Sequence, residues 1–291
     1  MINKVILFIF ISIFISGTLF AQDDARSPEA GQAYNAGNTL AKSRDYEGAI
    51  KKYLEAIKAD DNFPNANYNL AYCYEKTGQL AKAEASYKNA IKLDNKFSNA
   101  YIALGNLQVD IEKIDEAKNT FSAVLAFDPG DSKANYGLGK VYYKQKQYDD
   151  AIRYFQQAVK SNPKYYHAFN YLGLCYSALK QYSNAAGAFE KAVSTVNRND
   201  LKGNYYYRLG EAFVNAKEYS KAESSLMSAL KLTRNDNIKA ACYFYLGEVY
   251  KHKSQTQKAI EYYAKSAKNR SWKQPAEYEI EILKHPDKYT D

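Results

Sequence analysis

Residues 136–163 read YGLGKVYYKQKQYDDAIRYFQQAVKSNP, and this stretch decides the architecture of the chain. Leu138-Gly139 is followed twelve residues after the glycine by Ala151, then by Phe155, Ala158 and Pro163. The same spacing recurs on both sides. The central alanines are Ala49, Ala83, Ala117, Ala151, Ala185, Ala222 and Ala259, separated by 34 residues four times and then by 37 twice. Twelve residues before each stands Gly37, Ala71, Gly105, Gly139, Gly173, Gly210 or Gly247, and Leu precedes that residue in every unit but the first, which has Ala36. Four residues after each alanine comes Tyr53, Tyr87, Phe121, Phe155, Phe189, Leu226 or Tyr263. A period of this length marks an array of small structural units. Glycine inside a helix costs about 1 kcal/mol relative to alanine, so its recurrence predicts a close crossing of two helices. The recurring alanine is expected to supply the opposing small surface there. Gly78 within a unit, and Asp128-Pro129 and Asn162-Pro163 between units, read as turns, so each unit is predicted to be a helix hairpin.

The pattern resembles the tetratricopeptide repeat family, whose 34-residue unit carries the same Leu-Gly pair, central Ala, later aromatic residue, further Ala and closing Pro. Leu138-Gly139, Ala151, Phe155, Ala158 and Pro163 form the cleanest copy. The resemblance covers residues 30–271 in seven units and departs locally, with Val124 and Ser266 at the further Ala position of the third and seventh. It implies an all-α, right-handed superhelical solenoid of about seven hairpins, with the first helix of each unit lining the concave face. Residues 272–291, containing Trp272 and the amphipathic stretch Ala276–Leu283, are expected to form a capping helix and tail. The wider spacing at the end brings in Asn197–Asp200 and Thr233–Asp236. Three extra residues there would either lengthen the preceding helix or enlarge the loop.

Ahead of the array, Lys4 precedes the apolar run Val5–Ser16, then come Gly17, Thr18 and Ala21, and the chain turns polar at Gln22. Residues 1–21 read as a secretory signal peptide cleaved after Ala21, the alternative being a retained membrane anchor, with 22–29 as a linker. The expected mature chain is an exported bacterial protein, periplasmic or secreted, without an integral membrane span. Loss of Lys4 lowers the net charge from +8 to +7, and that surplus is dispersed instead of gathered in a block. A nucleic-acid partner is therefore disfavoured. The 3 cysteines and 3 histidines show no zinc-ligand spacing, and no phosphate loop or nucleophile elbow occurs, so neither a cofactor nor enzymatic activity is expected. Cys73, Cys175 and Cys242 read as buried packing groups.

The 29 tyrosines are the compositional excess. Tyr46, Tyr53, Tyr87, Tyr148, Tyr182, Tyr219 and Tyr263 fall on recurring packing positions. Helical spacing from the Leu-Gly pair places Tyr34, Asn38, Tyr68, Tyr72, Asn106, Lys133, Tyr136, Lys140, Tyr143, Asn170 and Tyr207 on or near the concave face, with Asn65, Asn99, Asn204, Glu211, Phe244 and Glu248 beside them. Rigid amphipathic rings and amides that both donate and accept suit an extended peptide, so a peptide-binding groove is weighed here against a solvated or self-packed face. Family members that grip a terminal carboxylate use Lys and Asn, then Asn, then Lys and Arg on three consecutive first helices. The nearest set here is Lys140 and Arg208 with Tyr171 at the middle position, which is not a complete clamp. Lys133, Lys140 and Lys144 on one helical face leave a preference for acidic segments open. The function expected is a non-catalytic scaffold or adaptor for a partner protein or peptide in the cell envelope. The alternative is binding of an envelope polymer such as peptidoglycan or an anionic glycan.

Overall fold

A computed structural model describes residues 27–288, so the expected signal peptide and most of the linker before the array lie outside the described residues. The described chain is helical from end to end, in seven hairpins and a closing helix. The hairpins are α1 (Pro28–Lys42) with α2 (Tyr46–Ala59), α3 (Pro64–Lys76) with α4 (Leu80–Leu93), and α5 (Ser98–Asp110) with α6 (Ile114–Phe127). They continue as α7 (Ser132–Lys144) with α8 (Tyr148–Ser161), α9 (Tyr166–Ala178) with α10 (Tyr182–Thr195), α11 (Asn199–Asn215) with α12 (Tyr219–Leu232), and α13 (Asp236–His252) with α14 (Thr256–Ser266). The closing helix is α15 (Lys273–Lys284), which packs against α14.

Every hairpin turns in the same way. The residue two past the first helix has positive φ: Arg44, Gly78, Glu112, Lys146, Lys180, Lys217 and Ser254. The next N–H reaches back to the helix, as in Asp45 to Leu40, Gln147 to Tyr142 and Gln255 to Tyr250, each at 2.9 Å. This left-handed cap satisfies the orphan carbonyls at the helix end and reverses the chain in a few residues. Only the second unit spends a glycine on it. The other turns accept the cost of a side chain in that region, which hides them from a search for turn residues.

Successive helices pack along the whole array, and the first helices also touch one another across units, α1 with α3, α5 with α7, α7 with α9 and α11 with α13. A row whose members approach more closely lies on the inside of a curve. The odd-numbered helices therefore form the concave side, as the family resemblance implies.

The glycine crossing is made differently from the sequence expectation. A Cβ on Gly139 would stand 2.5 Å from Phe155 Cε1, one on Gly173 2.5 Å from Phe189 Cε1, and one on Gly247 2.5 Å from Tyr263 Cε1. Gly37 meets Tyr53, Gly105 meets Phe121 and Gly210 meets Leu226 in the same manner. The glycine makes room for the large side chain four residues beyond the alanine, not for the alanine. These side chains are buried to within 2% of full enclosure, each worth about 2–3 kcal/mol in transfer from water.

The longer spacing also resolves differently from either alternative. The second helices α10 and α12 keep 14 residues, whereas the first helices α11 and α13 grow to 17 from the 13 of α3, α5, α7 and α9. The extra residues thus enter the start of the following helix. Gly203 allows the close approach there, since a Cβ would lie 3.0 Å from the Thr233 backbone nitrogen. At the end of the array Ile280 and Leu283 of α15 pack on the core, and Lys251 Nζ donates to Glu279 at 2.5 Å.

Candidate functional site

The inner row is built from three positions in each first helix, numbered from its small residue. Three before it stand Tyr34, Tyr68, Ile102, Tyr136, Asn170, Tyr207 and Phe244, and one after it Asn38, Tyr72, Asn106, Lys140, Leu174, Glu211 and Glu248, so that Ile102 and Leu174 are the apolar breaks at these two positions. The concave-face set drawn from helical spacing left out the position two before, which adds Asn69 and Tyr245 to the network together with Tyr171 and Arg208, weighed from the sequence only as parts of an incomplete clamp. At 3.6 residues per turn that position lies about 60° further round the helix, so a wider arc would have found it.

At the amino-terminal end the amides and phenols tie the first two units together. Tyr53 Oη donates to Asn38 Oδ1 at 2.7 Å, and Asn69 Nδ2 donates to Asn38 Oδ1 at 2.9 Å and to Tyr34 Oη at 3.1 Å. A hollow of about 350 Å³ opens there, lined by Asn38, Tyr53, Asn69 and the 40% exposed Tyr72 among others. The Tyr34 ring lies 4.7 Å from Phe63, and the Tyr68 ring 5.3 Å from Phe97 and 5.7 Å from Tyr87. The two tyrosine populations thus overlap: the inner-row rings pack on their neighbours, Tyr72 edge-on against Tyr46 at 6.3 Å, and all but the more exposed Tyr72 are half-buried.

The middle of the row is an aromatic basin. Tyr136 lies 4.9 Å from Tyr165, 5.7 Å from Tyr171 and 5.8 Å from Phe155, while Tyr143 meets Tyr171 edge-on at 5.2 Å. Lys140 Nζ donates to Asn106 Oδ1 at 2.9 Å, bridging the third and fourth units, and sits 5.3 Å from the centre of the Tyr136 ring. Lys144 turns aside to Glu112 at 2.7 Å and to the Val109 carbonyl, and Lys133 is exposed. Of the three lysines expected to share a face, only Lys140 therefore enters the basin. Asn170 Oδ1 and Arg208 Nε are buried with no hydrogen-bond partner among the described residues. His167, 6.4 Å from Tyr136, is pushed below its ordinary pKa by burial and then by Arg198 and Lys140.

The carboxy-terminal end is acidic and closed by its own phenols. Tyr245 Oη donates to Glu211 at 2.5 Å and Tyr263 Oη to Glu248, with Tyr207 6.2 Å from Tyr245. Phe244 and Trp272 continue the row at 5.1 Å.

Burial pushes the Lys140 ammonium below its ordinary value, and Asp110 partly opposes the shift. Between the folded and unfolded values the unfolded chain holds the extra proton, so stability is expected to rise with pH across that window. Lys140→Met should flatten the rise without lowering stability at neutral pH. Urea midpoints taken from neutrality to about pH 10 read this out, and an unchanged slope would assign the rise to another group.

Burial also pushes the Cys73 thiol up to about 11 and those of Cys175 and Cys242 to about 12, so none is a poised nucleophile. Among the described residues no group of three or more His, Cys, Asp and Glu side chains is placed to hold a metal ion, and no helix is long and apolar enough to cross a membrane.

Two models of the tetratricopeptide repeat match the sequence, one over residues 34–96, 102–159 and 136–203 and the other over 203–236. The chain belongs to the tetratricopeptide repeat family. Among solved structures, the C-terminal part of a repeat-containing protein from Cytophaga hutchinsonii is similar over 85% of this chain and 99% of its own, at 15% identity and a TM-score of 0.68. A tetratricopeptide repeat protein from Parabacteroides merdae is similar over 88% and 99%, at 15% identity and a TM-score of 0.60. YrrB, described as a repeat protein with an unusual peptide-binding site, is similar over 64% and 94%, at 24% identity and a TM-score of 0.51. At these identities the likeness is one of fold. A comparison with curated proteins finds no match. Repeat proteins of this family serve in general as protein-interaction scaffolds.

Proposed function

We propose that this protein is an exported bacterial scaffold that holds an extended segment of a partner protein along its inner row. The observation that carries this reading is the run of phenols and amides from Tyr34 to Trp272, in which Asn170 and Arg208 keep buried polar atoms without partners. An unmade buried hydrogen bond costs about 1–3 kcal/mol, and an extended backbone offers one donor and one acceptor per residue to offset such a cost. The half-buried rings are preorganised, so little side-chain entropy is lost when a ligand lies across them. The apolar amino-terminal run supports export, and YrrB offers a precedent for peptide binding on this fold.

A peptide selected from a displayed random library on the full chain should bind at least tenfold more weakly to a triple variant with Tyr72→Ala, Asn106→Ala and Tyr143→Ala. Helical circular dichroism should be retained. Equal affinity for the variant would remove the inner row as the binding surface.

A second reading has its own observation. Away from the inner row, Tyr250 and Tyr262 stack at 5.2 Å with Lys258 and Lys265 over the rings, and Tyr142 and Tyr154 stack at 5.2 Å with Lys118 over Tyr142. Stacked rings edged by ammonium groups suit an anionic envelope glycan. Co-sedimentation with purified cell-wall material at low salt tests it, and a chain left in the supernatant would speak against it.

A further inference from the structure

The middle of the inner row holds two cations that the fold does not neutralise. Lys140 is half-buried, and its partners are the neutral Asn106 amide and the face of Tyr136. Among the described residues no carboxylate forms an ion pair with it, although Asp110 is near enough to be felt. Arg208 is also half-buried and, among the described residues, makes no ion pair and has its Nε sealed from solvent without an acceptor. The phenols around it, Tyr143, Tyr171, Tyr205 and Tyr207, all feel its charge. Neighbouring cations are committed elsewhere, Lys144 to Glu112 and Arg198 to Asp200. Taking a cation out of water without a counter-charge is unfavourable, and a carboxylate delivered by a ligand would turn that cost into charge-assisted hydrogen bonds.

Resting on the groove reading above, we propose that the basin between Lys140 and Arg208 is a carboxylate subsite for an internal Asp or Glu side chain of the bound segment. Three features argue for this. Asn170 Oδ1, on the helix between the two cations, lacks a donor that a passing backbone N–H would supply. The row continues on both sides, through Asn106 toward Tyr34 and through Tyr207 toward Trp272, so a ligand chain runs through the basin and does not end in it. The carboxy-terminal end, with Glu211 held by Tyr245 and with Glu248 only loosely paired to Lys251 and His252 at 3.9 Å, disfavours a second acid there. The cations stand two units apart, on the first and third of three consecutive first helices, with Tyr171 between them where the terminal-carboxylate clamp has Asn.

The test uses the full chain and a pooled library of random dodecapeptides with amidated carboxyl ends, read by mass spectrometry of what the immobilised protein retains. Wild type should enrich Asp and Glu over Asn and Gln at one register by about tenfold. The double variant with Lys140→Met and Arg208→Met should bring that ratio to parity while still retaining neutral peptides. Should the double variant fail to fold, Lys140→Met alone carries the comparison and should lose at least half of the enrichment. Neutral and acidic peptides retained alike by wild type would overturn the carboxylate subsite and leave the groove standing. Retention of no peptide would overturn both. Enrichment that survives the variants would place the recognising charge elsewhere, and enrichment seen only with free carboxyl ends would make the ligand a chain terminus, against the internal acid proposed.

Discussion

Replacing Gly139 by valine should lower the stability of the array by about 3 kcal/mol, read as the urea midpoint at unchanged slope. The first atom added would fall 2.5 Å from Cε1 and 2.6 Å from Cδ1 of Phe155, a ring with no exposed surface and hence no room to retreat. Helix propensity runs the other way, because leaving glycine gains a few tenths of a kcal/mol for valine. Packing wins by a wide margin. The partner identity can be checked by a double-mutant cycle: Phe155→Ala empties the space that valine needs, so Gly139→Val should cost at least about 1 kcal/mol less in that background. Costs that simply add would show that the glycine answers to something other than the ring. A single-variant loss under about 0.5 kcal/mol would show the crossing to be loose.

Phe121→Ala should have the largest effect of any single truncation in the middle of the chain, because its ring serves two units. It closes on Gly105 of its own hairpin and also on Gly137 of the next, and it packs with Val109, Leu138 and Val141. Truncating a buried phenylalanine costs about 3–5 kcal/mol. Here part of that loss falls on the coupling between the third and fourth units. In a stacked array, stability is a sum of unit terms and nearest-neighbour terms, so a weakened junction divides the cooperative block. Thermal unfolding of the variant is expected in two steps, units one to three separating from units four to seven. One sharp transition at a lower temperature would mean that the junction is carried by other contacts.

The architecture could be read from the sequence because one strong regularity, the interval between small and large residues, is imposed by helix packing and repeats seven times. The Leu138-Gly139 and Phe155 interval is such a case. The pairing inside that interval could not be read, since both Ala151 and Phe155 sit on the buried face of α8 and period alone does not say which one opposes the glycine. The turns were hidden for another reason. A left-handed residue usually advertises itself as glycine, but Lys146 and Lys180 adopt that conformation with no such signature. In the inner row, Tyr136, Lys140 and Asn170 follow from helical spacing, whereas Asn69 lies off that arc, and Arg208, which the sequence offers only as part of an incomplete clamp, gains its setting from neighbours in adjacent units. What a side chain does there depends on contacts some 34 residues away, as between Lys140 and Asn106, and a single helix cannot report them.

The lengthened starts of α11 and α13 bear on a problem that every periodic surface poses. Rungs that repeat at a fixed interval allow a long ligand to shift by one unit at little cost, leaving several nearly degenerate placements. Four additional residues, at 1.5 Å of rise each, raise one edge of the row by about 6 Å at the sixth and seventh units and at no other. That step breaks the translational symmetry of the array. For a segment held as proposed above, it would set one placement apart from the rest, much as a fret stops a string.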